Sequence, residues 1–399
     1  MPNHPILAAG LDLGSRYTRL AVCALEDGCI RFLSAAAAEA HGCQKSRVTD
    51  QRSVSESILA VVRHVESTTG IPVESVVAGI GGSTVRGNNA RGTLELGFNR
   101  EIQQRDVNRV IERASRVQLL QDRMLLQFFP QDFVVDQQPG HMDPRKMLAS
   151  QLEVNLHMVT TSVQEHTSIV GAVNQAHLQV EETVFEGLAA AHASVLPEDR
   201  REGIAVIDIG AESTELVAYY GDSLQIAASI PVSAAHFTRD LAQGLRTTFE
   251  DAEIVKLDFG GASAAGASGN SLVELPGGDP SKPRHAHRKF VNEILEARAT
   301  ELFAFVRAEL ERVSMDRALI GGVFLAGGGA RLPDLCDIAE RELQCQARYA
   351  LPYGIRDWPE WMNDPEWTTA AGLAMYSGTL KVQAARLRET SGWLGKILR

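Results

Sequence analysis

Two hairpin-like stretches, 196 residues apart, constrain this chain more than any other feature. "GLDLGSRYTRLAV" begins at Gly10, and "AVIDIGAESTELVAYYGDS" runs from Ala205 to Ser223. Each reads as an apolar strand, an aspartate, a polar turn around glycine and a second apolar strand. Aligned on the acid, Asp12 matches Asp208, Gly14 matches Gly210, Thr18 matches Thr214 and Leu20 matches Leu216. Strand, glycine, strand is common on its own. Two copies half a chain apart predict two related lobes, each offering a hairpin to one ligand. Turns of this kind cradle phosphate with backbone N–H groups.

A third glycine cluster lies in "GGVFLAGGGARLPDLCDIAEREL", from Gly321 to Leu343. A buried strand, Val323 to Ala326, enters Gly327-Gly328-Gly329. A helix follows, with Pro333 near its first turn and Leu335, Ile338 and Ala339 as its apolar positions. Glycines there let a flat ring approach the backbone; a βα turn that needs packing space explains them equally well. Helical periodicity marks Val54–Ser67, Gln104–Leu120, Gln164–His177, Ala234–Leu245 and Lys289–Arg312. Strand-like runs include "SVVAGIG", "FVVD", "LEVNLHMVT" and "ETVFEG". The Gly-, Ser- and Pro-rich "DFGGASAAGASGNSLVELPGGDPSKP" reads as a long surface loop or hairpin.

With 399 residues, 44% hydrophobic and 22% charged, the chain supports two or three domains with real cores. A net charge of −11 argues against nucleic acid as a partner. No run approaches the roughly 18 apolar residues of a membrane span. The start lacks the basic region of a secretory signal, so the expected location is the cytoplasm. The five cysteines form no CxxC pair, which predicts reduced thiols and no zinc site. His285 and His287 in "KPRHAHRK" read as part of a solvated basic patch.

Two Asp-Gly hairpins followed by a glycine-rich strand–helix turn resemble the actin-like ATPase superfamily of actin, seventy-kilodalton heat-shock chaperones, sugar kinases and bacterial filament proteins. Within it the chain is similar to the FtsA family of bacterial cell-division actins over nearly its whole length. "RDVNRVIERASRV", "FFPQDFVVDQQPG" and "LEVNLHMVTTS" resemble that family's small extra domain, 1C. "IPVSAAHFTRDLAQGLRTTFEDAEIVKLDFG" and "NEILEARATEL" resemble its fourth subdomain, and "SGWLGKILR" its membrane-binding end. The implied fold is α/β: an actin-like (ribonuclease H-like) two-lobed fold with an inserted small α+β domain. The first lobe takes 1–83, 163–199 and part of 366–385, and the insert 84–162. The second-lobe core takes 200–230 and 318–365, its outer subdomain 231–317, and a linker with an amphipathic tail 386–399.

The resemblance implies ATP and Mg2+. It assigns the metal to Asp12 and Asp208, oxygen donors suited to a hard cation that keeps waters. Gly14, Ser15 and Tyr17 form the first phosphate loop, and Gly210, Ser213 and Thr214 the second. Gly327, Gly328 and Gly329 lie at the adenosine, with Glu293 and Arg298 bordering base or ribose. Glu186, in "VFEGLAAAHASVL", stands where chaperone-like relatives carry Glu-Pro-x-Ala-Ala, although Gly187 replaces the proline. It is the catalytic candidate for positioning water; the alternative is a glutamate facing solvent or capping the next helix. The second loop departs from the family pattern by carrying Glu212 where glycine is usual. A side chain there resists positive φ if the turn needs it, and a carboxylate repels phosphate. Its counterpart in the first loop is Arg16, so Arg16 offsets Glu212 or both point to solvent. The expected activity is ATP binding with weak or no hydrolysis.

The implied partners are the C-terminal peptide of FtsZ, further copies of the chain in filaments, later division proteins and an anionic membrane surface. Lys282, Arg284, Arg288 and Lys289 form a candidate docking patch or a plain solvated face. Trp393, Leu394, Ile397 and Leu398 make one apolar stripe on a helix, with Lys396 and Arg399 beside it. The expected place is peripheral, on the inner face of the cell membrane at the division site. Two rivals remain. A pilus-assembly scaffold of the PilM type is expected to lack the insert and the Trp-bearing tail. A small-molecule kinase needs a substrate pocket with a catalytic Asp.

Overall fold

The computed structural model describes residues 5–26, 28–44, 47–116, 119–267, 270–277 and 283–397, with side chains as far as residue 385. Two five-stranded sheets share one topology. In the first lobe the order is β11-β6-β1-β2-β3. Its strands are β1 (Ile6–Leu13), β2 (Tyr17–Glu26), β3 (Cys29–Glu39), β6 (Ser75–Ile80) and β11 (Gln179–Phe185). In the second lobe the order is β14-β13-β12-β17-β18. Its strands are β12 (Ile204–Ile209), β13 (Thr214–Tyr220), β14 (Ser223–Ile230), β17 (Gly322–Ala326) and β18 (Ala347–Tyr349). In each, three strands run antiparallel and the innermost pairs with a parallel partner. β12 and β17 are buried along their whole length, as expected of strands covered on both faces.

Helices α1 (Gln51–Thr69) and α3 (Val163–Gln175) cover one face of the first sheet. α1 is capped by Asp50, which accepts from Arg52 N, and ends at Gly70 in the left-handed conformation. The other face meets α10 (Thr368–Ile397) and α4 (Glu186–Ser194). Small residues allow this. A Cβ on Gly372 would come 1.8 Å from Ala189 O, and one on Gly10 2.2 Å from Ala374 N. Backbones therefore touch where larger side chains would hold them apart. The backbone of α10 is helical through Ile397, so 386–397 continues this helix.

Between β6 and α3 lies an antiparallel sheet in the order β7-β10-β8-β9. Its strands are β7 (Arg86–Glu101), β8 (Arg123–Val135), β9 (Gln138–His141) and β10 (Leu148–Ser162). Helix α2 (Gln104–Ser115) lays Val107, Val110 and Ala114 on Leu94, Leu152 and Val154, giving this unit its own core. α2 stops at Ser115, short of Leu120. Beyond the second sheet stand α6 (Ala234–Leu245), α7 (Phe249–Phe259), α8 (Arg288–Arg312) and the hairpin β15 (Leu272–Leu275) with β16 (Arg284–His287). The Gly/Ser/Pro-rich segment supplies β15 and ends just before β16. Short elements among the described residues include β4 (Cys43–Gln44), β5 (Arg47–Val48), α5 (Pro197–Arg201) and α9 (Leu335–Leu343). After the glycine cluster a 3-10 turn, Gly328–Arg331, comes before α9, and Pro333 lies outside the helix. No helix among the described residues is long and apolar enough to cross a membrane.

Candidate functional site

A cavity of about 830 Å³ separates the lobes, within the range of small-ligand sites. Both hairpin turns open onto it. A Cβ on Gly14 would lie 2.8 Å from Tyr17 O, and one on Gly210 2.9 Å from Ser213 O. The two turns thus need glycine for the same contact, the carbonyl three residues on. Gly210 N also donates to that Ser213 oxygen at 2.9 Å. Neither turn needs positive φ, and Glu212 is not among the positive-φ residues, so a side chain sits there without backbone strain. Ser15, Tyr17 and Ser213 line the cavity. Thr214 does not; it is fully buried in β13, and its Oγ1 has no hydrogen-bond partner in the protein.

Four carboxylates converge at the floor: Asp12, Asp208, Glu186 and Glu215. Burial raises Asp12 to about 7, with Arg19 opposing and Asp208 adding to the rise. Burial also raises Asp208, against the hydroxyl of Thr369, which donates to its Oδ2. Glu186 is pushed well above the usual carboxylate range by burial and then by the charge of Glu215. Glu215 rises to about 8 from burial and from Asp208, although Gly82 N donates to its Oε1 at 2.8 Å. Gly81 makes room for this pair: a Cβ there would meet Glu186 Oε2 at 2.1 Å and Glu215 Oε1 at 2.9 Å.

Glu215 escaped the sequence reading, yet the repeat contains its signal. Across β1 and β2, Asp12 faces Arg19; across β12 and β13, Asp208 faces Glu215. Positions 19 and 215 are again 196 apart. Arg19 is nearly buried, donates to Glu366 Oε2 at 2.7 Å and lies over the rings of Tyr17 and Trp367. Its Nε has no partner in the protein.

Gly327, at φ 80°, would bring a Cβ within 2.3 Å of Asp208 Oδ1, and Gly329 one within 2.5 Å of Ile209 Cγ2. These two glycines serve packing. Only at Gly328 would a Cβ meet nothing, so its backbone is the one open to an approaching ring. Glu253, Ile254, Lys256 and Leu257 of α7 also line the cavity. Lys256 lies 2.7 Å from Glu253, which also accepts from Thr238 and forms an ion pair with Arg16 of the first hairpin. The ion pair the structure gives Arg16 is therefore with Glu253, where the repeat pointed to Glu212.

Glu293 and Arg298 are not among the cavity residues. Glu293 is exposed, and Arg298 forms a bidentate pair with Asp240 at 2.5 and 2.9 Å. The polar groups that reach the cleft from this subdomain come from α7, whose periodicity the sequence reading did not separate from its surroundings. In the basic patch, Arg284 donates to Leu245 O and Arg246 O, and Arg288 to Phe259 O. Both thus bind carbonyls at the ends of α6 and α7. Lys282 and Leu398 lie outside the described residues, as do the side chains of Trp393, Leu394 and Ile397.

No three His, Cys, Asp or Glu groups among the described residues form a cage for a metal. Magnesium usually keeps several waters and takes one or two carboxylates plus phosphate oxygens. Asp12 and Asp208, two buried carboxylates at the cavity, fit that pattern, Asp12 with Arg19 opposite it and Asp208 with no cation across its hairpin.

A family model described as "Cell division protein FtsA" matches residues 205–372, and one described as "SHS2 domain inserted in FTSA" matches 82–160. The cell division protein FtsA of Borreliella burgdorferi is 30% identical over 374 residues, covering 93% of this chain and 90% of that protein. That of Pseudomonas aeruginosa is 29% identical over 372 residues, covering 93% and 89%. Among solved structures, the PilM-PilN type IV pilus biogenesis complex matches with a TM-score of 0.67 at 17% identity, covering 94% of this chain and 99% of that one. MreB5 of Spiroplasma citri bound to ADP matches at 0.57 and 12% identity, covering 96% and 99%. These two show the actin-like fold. On the sequence matches, the chain belongs to the FtsA family of cell division proteins.

Proposed function

We propose that this protein binds ATP with Mg2+ in the interlobe cleft, assembles into filaments, and tethers the FtsZ ring to the cytoplasmic membrane. The observation that carries the nucleotide reading is the convergence of two like hairpin turns, two buried aspartates and the open Gly328 on one cavity. MreB5 of Spiroplasma citri, a protein of like fold, is bound to ADP. The backbone N–H groups of the Gly14 and Gly210 turns would hold phosphates. Asp12 and Asp208 would hold the magnesium, which when bound neutralises phosphate charge. The nucleoside would lie between the Gly328 backbone and Glu253, Ile254 and Lys256 of α7. Glu186 would position water. Without ligand, burial and then the charge of Glu215 push its carboxyl well above the usual carboxylate range, which disfavours the ionised form a general base needs and supports slow turnover.

Family membership supports FtsZ, further copies of the chain and later division proteins as partners, and the apolar spacing of Trp393, Leu394, Ile397 and Leu398 in the sequence supports attachment to an anionic surface. One tail of this length binds weakly, so firm attachment requires many tails on a polymer. The test is isothermal titration of Mg-ATP into the wild type and into the Asp12→Ala, Asp208→Ala double variant. Wild-type affinity in the double variant rejects the nucleotide site. Vesicle co-sedimentation with and without FtsZ tests the tether; loss of binding in Trp393→Glu, Ile397→Glu is the expected result.

A further inference from the structure

One strand of the insert, β8, is hydrogen-bonded to both lobes. On β8, Gln127 is 8% exposed and faces the first lobe. Its Oε1 accepts from Phe185 N at 3.1 Å, and its Nε2 donates to Tyr376 Oη of α10 at 3.4 Å. Phe185 is the last residue of β11 and immediately precedes Glu186, whose carboxylate lies in the cleft. Four residues further on the same strand, Gln131 faces the second lobe. Its Nε2 donates to Leu224 O at 2.9 Å and to Gln225 Oε1 at 3.2 Å, and Ser223 Oγ donates to its carbonyl at 2.6 Å. In the pairing with β10, Pro130 lies opposite Leu156 and Asp132 opposite Asn155, so Gln131 is the extra residue of a bulge. The neighbouring contact is tight as well: a Cβ on Gly87 of β7 would fall 2.4 Å from Ala227 O of β14. The loop that enters the insert is bonded across the cleft too, through Gly82 N and Glu215.

We infer that β8 is a tie between the lobes: Gln127 is a positioning residue for Glu186, and the insert is energetically coupled to whatever closes the cleft. The insert is covalently joined to the first lobe alone, at both of its ends. A rotation of one lobe against the other therefore cannot leave the Gln127 and Gln131 bonds both unchanged. One end must shift, and the buried amide of Gln127, bonded on both sides, is the costlier to release. The coupling is reciprocal, so loosening the tie alters what the cleft binds.

The ligand-dependent part of this inference rests on the nucleotide reading above; the ligand-free part does not. Amide exchange on the full chain tests both. Without nucleotide, Gln127→Leu should speed exchange at residues 185–188 by about fivefold or more, the loss of one buried hydrogen bond. Unchanged exchange there overturns the positioning role. With magnesium and AMPPNP, the wild type should change its exchange in β8 and β14. Gln131→Ala should abolish the change in β8 while keeping that at the Gly14 and Gly210 turns, and should shift AMPPNP affinity by about fivefold or more. Gln138→Ala, exposed on β9, should behave as wild type. A nucleotide response in β8 that survives Gln131→Ala, or a wild type that binds AMPPNP with no response in the insert, overturns the coupling. A wild type that binds no AMPPNP overturns the nucleotide reading and the coupling with it, while the ligand-free result still decides the role of Gln127. Should Gln127→Leu fail to fold, ligand-free exchange in β14 of Gln131→Ala decides the tie from its other end.

Discussion

The two hairpins are alike in backbone and opposite in charge. Gly14 and Gly210 answer the same steric demand, yet the residue across from each aspartate is Arg19 in one lobe and Glu215 in the other. The first hairpin carries its own counter-charge. The second stacks one buried carboxylate against another and leaves the neutralisation to protons or to a bound cation. A duplicated scaffold can thus conserve the turn that approaches a ligand while dividing the electrostatic work between its copies.

The largest effect should come from removing the counter-charge. Arg19→Met leaves Asp12 without its cation and Glu366 with Arg331 alone, and should cost about 3–5 kcal/mol at pH 8, measured by urea unfolding. The loss should shrink at pH 5, where Asp12, raised to about 7, is protonated. An equal loss at both pH values would break the charge comparison. Next comes metal-dependent binding. Asp208→Ala should weaken Mg-ATP by at least about tenfold and by more than Asp12→Ala, because Arg19 already balances Asp12. The reverse ranking in calorimetric titration would show that the first hairpin holds the ion.

A smaller effect is the pH dependence of the ligand-free protein. Asp12 and Glu215 bind protons more tightly folded than unfolded, at about 7 and about 8 against ordinary values of 3.8 and 4.5. Their stabilising contribution is complete below those ordinary values and is lost as pH rises through 7 and 8. Melting temperature should therefore fall between pH 5 and pH 8.5. Glu215→Gln should flatten the upper part of that fall and raise the melting point at pH 8.5 by about 2–4 °C. A melting temperature that rises over this interval contradicts the assignment. The smallest effect belongs to the loop residue that breaks the family pattern. Glu212→Ala should change Mg-ATP affinity by less than about fivefold, the scale of a partly exposed charge. A larger gain in affinity would mean that Glu212 repels phosphate after all.

What could be read in the sequence was what is local. Asp12, Asp208, the two turn glycines and the Gly327–Gly329 cluster each sit in a contiguous strand–turn pattern, and they meet as the repeat implies. Glu366 and Thr369 reach the same cavity from the far end of the chain, with no local motif to mark them. Glu253 and Lys256 stand three apart on α7, a spacing shared by any solvated helix face. The family resemblance set Arg298 beside the ligand; Asp240, with which it pairs, is 58 residues away and no local pattern marks the pair. Glu215 was within reach, but only by carrying the repeat past the turn to the residue that faces each aspartate. The antiparallel register, invisible in the repeat itself, is what gives that residue its meaning.

Gly10 lies against Ala374, so the innermost strand of the first lobe is covered by a helix 364 residues later in the chain. A ribosome adding about 5–20 residues per second leaves β1 waiting roughly 20–70 s for that cover. The insert and the second lobe, with cores of their own, emerge whole in the meantime. The first lobe is therefore begun first and finished last, and it is the part of the newborn chain that depends most on protection from aggregation.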